Sequence, residues 1–319
     1  MAVLGKNIQQ AKKHLEQGEL VAIPTETVYG LAGNALDETA LAKIFETKNR
    51  PFFDPLIVHI ASWQQVSLYA KAIPEQARKL ADHFWPGPLT LLLEKNRTIP
   101  DLATAGLDRV GLRCPNHPLT LELLNQLSFP LAAPSANPFG YVSPTTALHV
   151  QQQLGEKLPY ILDGGPCNVG IESTVIGWEN GNPVVYRQGG ISLEQIEPLV
   201  GKVNVLSHST SNPQSPGQLK NHYAPNRKFV LGNLRELSVN ASKDRTGVLA
   251  FQHKLESIQP ATQLVLSPSG NLQEAARNLF TMLRQFDTMD VDVVISEEVP
   301  DQGLGRAIND RLRRAAAIK

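Results

Sequence analysis

Apolar and polar positions change period several times along this chain. Ile8, Ala11 and Leu15 recur at helical spacing between Asn7 and Gln17, and Gly18 ends that segment. Glu19 to Ile23 reads as a strand stopped by Pro24. Asp37 can cap a helix that turns Leu41, Ile44 and Phe45 inward. In Leu56 to Ile60 the alternation is strict: Leu56, Val58 and Ile60 share one face of a strand, Ile57 and His59 the other. Pro74 suits the first turn of a helix running to Phe84, and LTLLLE then reads as a strand. Val110 to Arg113 and Pro130 to Ala133 read as strands on either side of a helix from His117 to Leu127. ILDGG, ESTVIGW and PVVYRQGG carry the later strand candidates. Strands and helices mix without a strict βαβ rhythm, which predicts an α/β domain built on a twisted mixed sheet over residues 1–200.

Residues 201–227 break the pattern. They are rich in Ser, Asn, Pro and Gly, with few apolar anchors, as in a linker. Beyond them the rhythm is regular. FVLG, TGVLAF, TQLVLS and VDVVIS read as strands. Asn271 to Phe286 reads as a helix with Leu272, Ala276, Leu279 and Leu283 in register, and Gly305 to Ala317 as a last helix. Residues 228–319 are therefore expected to form a small open, Rossmann-like α/β domain of parallel type.

Composition narrows the function classes. Lys plus Arg and Asp plus Glu both total 30, so the formal net charge is zero. A chain-wide basic field for nucleic acid is absent, although a local patch remains open. The two cysteines, Cys114 and Cys167, make neither a disulfide framework nor a metal cluster. No apolar run approaches the ~20 residues that span a bilayer, and the N-terminus lacks the apolar stretch of a signal peptide. A cytoplasmic protein without a membrane partner is expected.

The candidate chemistry is scattered along the first two hundred residues. Thr25, Thr27 and Tyr29 present hydroxyls at a strand end, before a turn expected at Gly30 and Gly33. Lys48 and Arg50 are two apart ahead of Pro51. Both can reach one polyphosphate, or simply form a solvated basic turn. His59 is either a satisfied core histidine or, by its phase, a side chain facing another layer. Arg109 and Arg113 flank an apolar strand. A buried arginine there needs an anion, from the protein or from a ligand. Ser135, Asn137 and Ser143 lie in a turn-rich stretch that can cradle phosphates or merely lie on the surface. DGGPCNVGIESTVI adds Asp163, Gly164, Gly165, Gly170, Glu172, Ser173 and Thr174, around a close backbone approach or a hairpin. Neither common nucleotide-binding glycine loop is present, and no metal-ligand set or Ser-His-Asp pattern stands out.

In their order and spacing, TETVYGL, KNRPFFDPLIVHI, WPGPLTLLL, GLRCPNHP, AAPSAN with SPT, DGGPCNVGIESTVI and VYRQGGIS resemble the YrdC-type threonylcarbamoyl-AMP synthase family. SPGQLKNHYAP and GLGRAINDRLRRAA resemble the linker and second domain of its long, two-domain form, so the resemblance covers nearly the whole chain. It implies a nucleotidyltransferase of tRNA modification that joins L-threonine, bicarbonate and ATP into threonylcarbamoyl-adenylate. A separate transferase then passes the product to adenosine 37 of tRNA, so direct tRNA binding is not required. By position, the resemblance assigns threonine to Thr27, His59, Arg113, Ser173 and the backbone near Ala133. It assigns ATP to Arg50, Asp54, Ser135, Asn137, Ser143, Arg187 and the linker residue Tyr223, and catalysis to Lys48 and Arg50. The family motif usually has Asn at position 54. In the linker, Leu219, Lys220 and Asn221 replace the family's Lys, Tyr and Arg. Mg2+ is expected on the phosphates, with no metal held by the protein itself.

Three rivals compete. The first is a nucleic-acid-binding module, opposed by the zero net charge and the scarcity of aromatics for base stacking. The second is the related carbamoyl-transfer enzyme of hydrogenase maturation, for which this chain lacks both the cysteines and the length. The third is an amino-acid sensor built on the C-terminal domain, which shows no phosphate loop.

Overall fold

The computed structural model describes residues 1–206, 223–239, 241–242, 245–259 and 262–317. In chain order the strands are β1 (Val3–Gly5), β2 (Val21–Ile23), β3 (Gly30–Asn34), β4 (Ile57–His59), β5 (Leu89–Glu94), β6 (Arg109–Arg113), β7 (Leu131–Ala132), β8 (Tyr160–Leu162), β9 (Thr174–Glu179), β10 (Asn182–Arg187) and β11 (Asn204–Val205), then β12 (Lys228–Leu231), β13 (Thr246–Ala250), β14 (Gln263–Val265) and β15 (Val293–Ser296). The helices are α1 (Ile8–Glu16), α2 (Glu38–Lys48), α3 (Val66–Tyr69), α4 (Glu75–Phe84), α5 (Pro118–Gln126), α6 (Ala147–Leu154), α7 (Leu193–Val200), α8 (Leu234–Val239), α9 (Leu272–Gln285) and α10 (Gly305–Ala315). The first eleven strands form one mixed sheet, ordered β1-β8-β2-β3-β7-β4-β6-β5-β9-β10-β11. The last four form a second sheet, ordered β12-β15-β13-β14, in which every pair is parallel. Among the described residues, no helix is long and apolar enough to cross a membrane.

Local chemistry sets the helix ends that matter. Asn7 accepts from the backbone N–H groups of Gln9 and Gln10 and so caps α1. Asp37 caps α2 in the same way through Thr39. Asn49 closes α2 in the left-handed region, at φ 52°, a conformation Asn tolerates better than most residues. That reversal turns Arg50 back toward the sheet.

The expected turn at Gly30 and Gly33 is instead strand β3. A Cβ on Gly33 would lie 2.9 Å from Leu20 Cδ2 and 3.2 Å from Ile44 Cδ1, so the glycine lets a helix and a neighbouring chain close onto the strand. Within the segment read as a linker, Asn204–Val205 forms the edge strand β11, parallel to β10. Residues 207–222, with Leu219, Lys220 and Asn221, lie outside the described residues. Pro74 precedes α4 as its N-cap rather than entering its first turn.

The main core packs under the large sheet and takes Leu56, Val58 and Ile60 from one face of β4. A second core forms around α9 and α10, and it also includes Val28, Val142 and Ile171, which belong to loops of the large-sheet unit. At Gly170, φ 79°, an added Cβ would meet Arg277 Cα at 2.4 Å. The two units therefore touch backbone to backbone at this point.

Candidate active site

One end of the large sheet gathers chemistry from distant parts of the chain. Parallel pairing of β4 with β6 sets His59 beside Arg113, and antiparallel pairing with β7 sets His59 beside Leu131. The chain leaving β7 brings Ala133 and Ser135 to the same end. Ser173 enters β9 there, and Arg187 ends β10. The loop between β2 and β3 adds Thr27. These side chains, with Arg50, Ile57, Glu172 and Tyr223, line a cavity of about 50 Å3. Arg50, Arg113 and Arg187 thus share one hollow, although 137 positions separate the first from the last. The alternation of β4 holds: Ile57 and His59 face this hollow, opposite the core face.

Each arginine is anchored. Arg50 donates to Asp54 O (3.1 Å) and Pro55 O (2.8 Å), and its Nη2 lies 2.9 Å from Asp54 Oδ2. Arg113 Nη2 lies 2.8 Å from Glu26 Oε1. Arg187 donates to Ser173 O (3.0 Å) and Ser173 Oγ (2.9 Å). Around the hollow, four buried arginines (Arg50, Arg113, Arg187 and Arg311) face three buried carboxylates (Glu26, Asp54 and Glu172). Buried charge is tolerated only when compensated. The surplus is positive, so an anion entering here is stabilised.

Burial shapes protonation throughout. It holds His59 down to about 3, and the neighbouring Arg113 adds to the shift, so the imidazole is neutral near pH 7. Its Nδ1 is buried without a well-formed hydrogen bond. Burial also pushes Lys48 well below the usual lysine range, helped by Arg50 and opposed by Asp54. Burial raises Asp54, while Arg50 pulls it back.

Four expected residues sit behind the cavity wall. Lys48 donates to Ser135 O and Asn137 O, both at 2.5 Å, and so clamps the turn that carries Ser135. Asp54 is occupied by Arg50 and has no exposed surface. Asn137 donates to Pro138 O and Tyr141 O, holding the turn from inside. Ser143 Oγ donates to Glu172 Oε1 at 2.7 Å. Arg109 is not part of the site. It stands four residues before Arg113, roughly 13 Å along the strand, and donates to Tyr186 Oη at 2.6 Å. A much larger depression of about 1440 Å3 lies at that far end, wide open to solvent.

Sequence reasoning did not place Glu26 or Arg311 at the site, and it named Glu172 only as part of the DGGPCNVGIESTVI stretch, without a ligand. The acid between two threonines in Thr25-Glu26-Thr27 was the one signal for Glu26. Among the described residues no group of three His, Cys, Asp or Glu side chains could hold a metal.

Comparison with known proteins gives the family and the fold. A family profile for Sua5, YciO and YrdC, described as telomere recombination, matches residues 13–189. A second, described as the threonylcarbamoyl-AMP synthase C-terminal domain, matches residues 191–317. Threonylcarbamoyl-AMP synthase of Pyrococcus abyssi is 40% identical, covering 98% of this chain and 94% of its own length. That of Bacillus subtilis is 41% identical, covering 97% and 92%. The crystal structure of P. abyssi Sua5 complexed with L-threonine superposes with a TM-score of 0.92 at 39% identity, over 99% of this chain and 97% of the other. Escherichia coli YciO, 22% identical with a TM-score of 0.53, shares the fold over 59% of this chain and 96% of its own.

Proposed function

This chain belongs to the Sua5, YciO and YrdC family, with the C-terminal domain of threonylcarbamoyl-AMP synthases, and from that membership we propose a division of labour within its site. The reaction makes threonylcarbamoyl-adenylate and pyrophosphate from L-threonine, bicarbonate and ATP, for N6-threonylcarbamoyladenosine at position 37 of tRNA. Arg113 receives the threonine carboxylate. Thr27, neutral His59, Ser173 and the Ala133 backbone hold the amine and hydroxyl. Arg50, Ser135, Arg187 and Tyr223 take the nucleotide from the other side, with Ser143 behind them. Lys48 acts through the Ser135 turn it clamps.

Chemistry follows from that placement. The threonine amine adds to the carbon of bicarbonate and water leaves, giving a carbamate. A carbamate oxygen then forms a bond to the α-phosphorus as the α–β bridging bond breaks, and the electron pair departs with pyrophosphate. This transfer needs in-line placement and charge neutralisation rather than a covalent nucleophile. Surplus guanidinium charge supplies it. Magnesium, if bound, would be held by the triphosphate and water and would neutralise phosphate charge, since the nearby carboxylates Glu26, Asp54 and Glu172 are paired with arginines.

A cavity of about 50 Å3 is far below the ~300–1,000 Å3 of ligand pockets. ATP needs a wider hollow than this one, and Tyr223 stands in its wall. We assign catalysis to residues 1–200, closure to 201–227 and support to 228–319. The enzyme works in the cytoplasm, where a transferase consumes its product.

The observation that carries this reading is the convergence of Arg50, Arg113 and Arg187 on one hollow beside His59 and Ser173. Its test is pyrophosphate release by the full chain. Release is expected only when ATP, L-threonine and bicarbonate are all present. Release from ATP alone, or none with all three, overturns the reading.

A further inference from the structure

Arg311 lies on α10, in the unit built on the second sheet, yet all but one of its partners outside α10 belong to the wall of the hollow. Its side chain has no exposed surface. Nε and Nη2 each lie 3.2 Å from Glu172 Oε2. Nη1 donates to Gln188 O at 2.6 Å, directly after Arg187, and lies 3.2 Å from Asp310 on its own helix. The other oxygen of Glu172 accepts from Ser143 Oγ at 2.7 Å. The guanidinium carbon also stands 5.5 Å from the centre of the Tyr223 ring. That ring stacks on Phe280 of α9, with centroids 5.4 Å apart.

One planar cation thus fixes two pieces of wall, the Glu172 carboxylate and the Tyr223 ring, together with Ser143 behind the first and the corner at Gln188 that follows Arg187. A cation serving cohesion alone has no need of this geometry, since well-packed apolar residues often stabilise as well as a buried ion pair. A planar fork that meets a carboxylate with two nitrogens while lying over an aromatic ring is a task lysine performs poorly. We propose that Arg311 is a positioning residue for the nucleotide half of the site, orienting Glu172 and Ser143 and seating Tyr223 in the wall. The inference rests on the nucleotide reading of this hollow.

The test compares native full-length protein with Arg311→Met and Arg311→Lys, by calorimetric binding of a non-hydrolysable ATP analogue and, separately, of L-threonine. Arg311→Met should weaken the analogue at least tenfold and leave threonine within threefold. Arg311→Lys should recover part of that loss, because charge toward Glu172 returns without the planar fork. Should Arg311→Met fail to fold, the Arg311→Met/Glu172→Gln double variant removes the stranded acid and should show the same split. An analogue affinity within threefold of native overturns the proposal. So does a parallel fall in both affinities that follows the melting temperature, which is the mark of a merely cohesive residue. A native chain that binds no analogue overturns both this inference and the nucleotide reading, and it does so before any variant is compared.

Discussion

Replacing Glu26 by Gln tests the electrostatic logic of the threonine half of the site. Glu26 and Arg113 are each buried, and 2.8 Å separates their charged groups. Neutralising the acid leaves a guanidinium in low dielectric with no protein anion of its own. Breaking such a pair costs about 3–5 kcal/mol. Gln can still accept a hydrogen bond, which places the cost toward the lower end. At about 2–4 °C per kcal/mol for domains of this size, the melting midpoint should fall by roughly 6–12 °C. Threonine should reverse much of the loss, because its carboxylate supplies the missing anion. A ligand at a hundred times its dissociation constant adds about 2.7 kcal/mol to any protein that binds it. In the variant that dissociation constant should itself tighten, since the carboxylate no longer meets Glu26. Scanning calorimetry with and without L-threonine reads both effects, and L-threoninol, which lacks the carboxylate, is the control. The reasoning is refuted if threonine raises the variant's midpoint no more than the native one's, or if threoninol does as well.

Two more predictions follow from neighbouring buried groups. Arg50→Ala should abolish pyrophosphate release and also destabilise the chain by about 3–5 kcal/mol, because Asp54 loses its guanidinium. Adding Asp54→Asn should restore the melting midpoint but not turnover, and recovered turnover would remove Arg50 from the chemistry. His59 is held to about 3 in the folded protein, against about 6.5 when unfolded. Between those values the unfolded chain binds the extra proton, so this contribution to stability falls as pH drops below about 6.5 and is constant above it. Urea midpoints at pH 7 and 5.5 should show the native protein losing about 1.2 kcal/mol more than His59→Gln. Equal losses would mean that His59 is already charged or solvated when folded.

Much of this was legible from period alone. Strict alternation through Leu56–Ile60 separated His59 from the core face before any packing was known. The parallel rhythm after residue 228 emerged in the same way, because each strand is short, apolar and bounded by turn residues. Gly30 and Gly33 misled, since glycine favours turns in isolation and its use in β3 depends on Leu20, Ile44 and Ala133 pressing against it. Helix α6, with its HVQQQL polar stretch, was missed because its apolar positions, Ala147, Val150 and Leu154, are too few to set a period. The role of Lys48 was half visible: spacing marked a cation near Arg50, but only the fold shows it spent on two carbonyls. Arg311 was invisible. Gly305 to Ala317 reads only as a last helix, and the burial of Arg311 within it is decided by a surface that approaches from another part of the chain.

The missing side chain at Gly170 has a consequence for anyone who would cut this protein in two. Where a loop of the large-sheet unit rests on the main chain of α9 with nothing between, even one methyl group would hold the halves apart. A fragment ending near residue 200 would therefore carry an open notch flanked by Val28, Val142 and Ile171, all of which now sit in the core shared with α9 and α10. Such a fragment should be sticky before it is inactive.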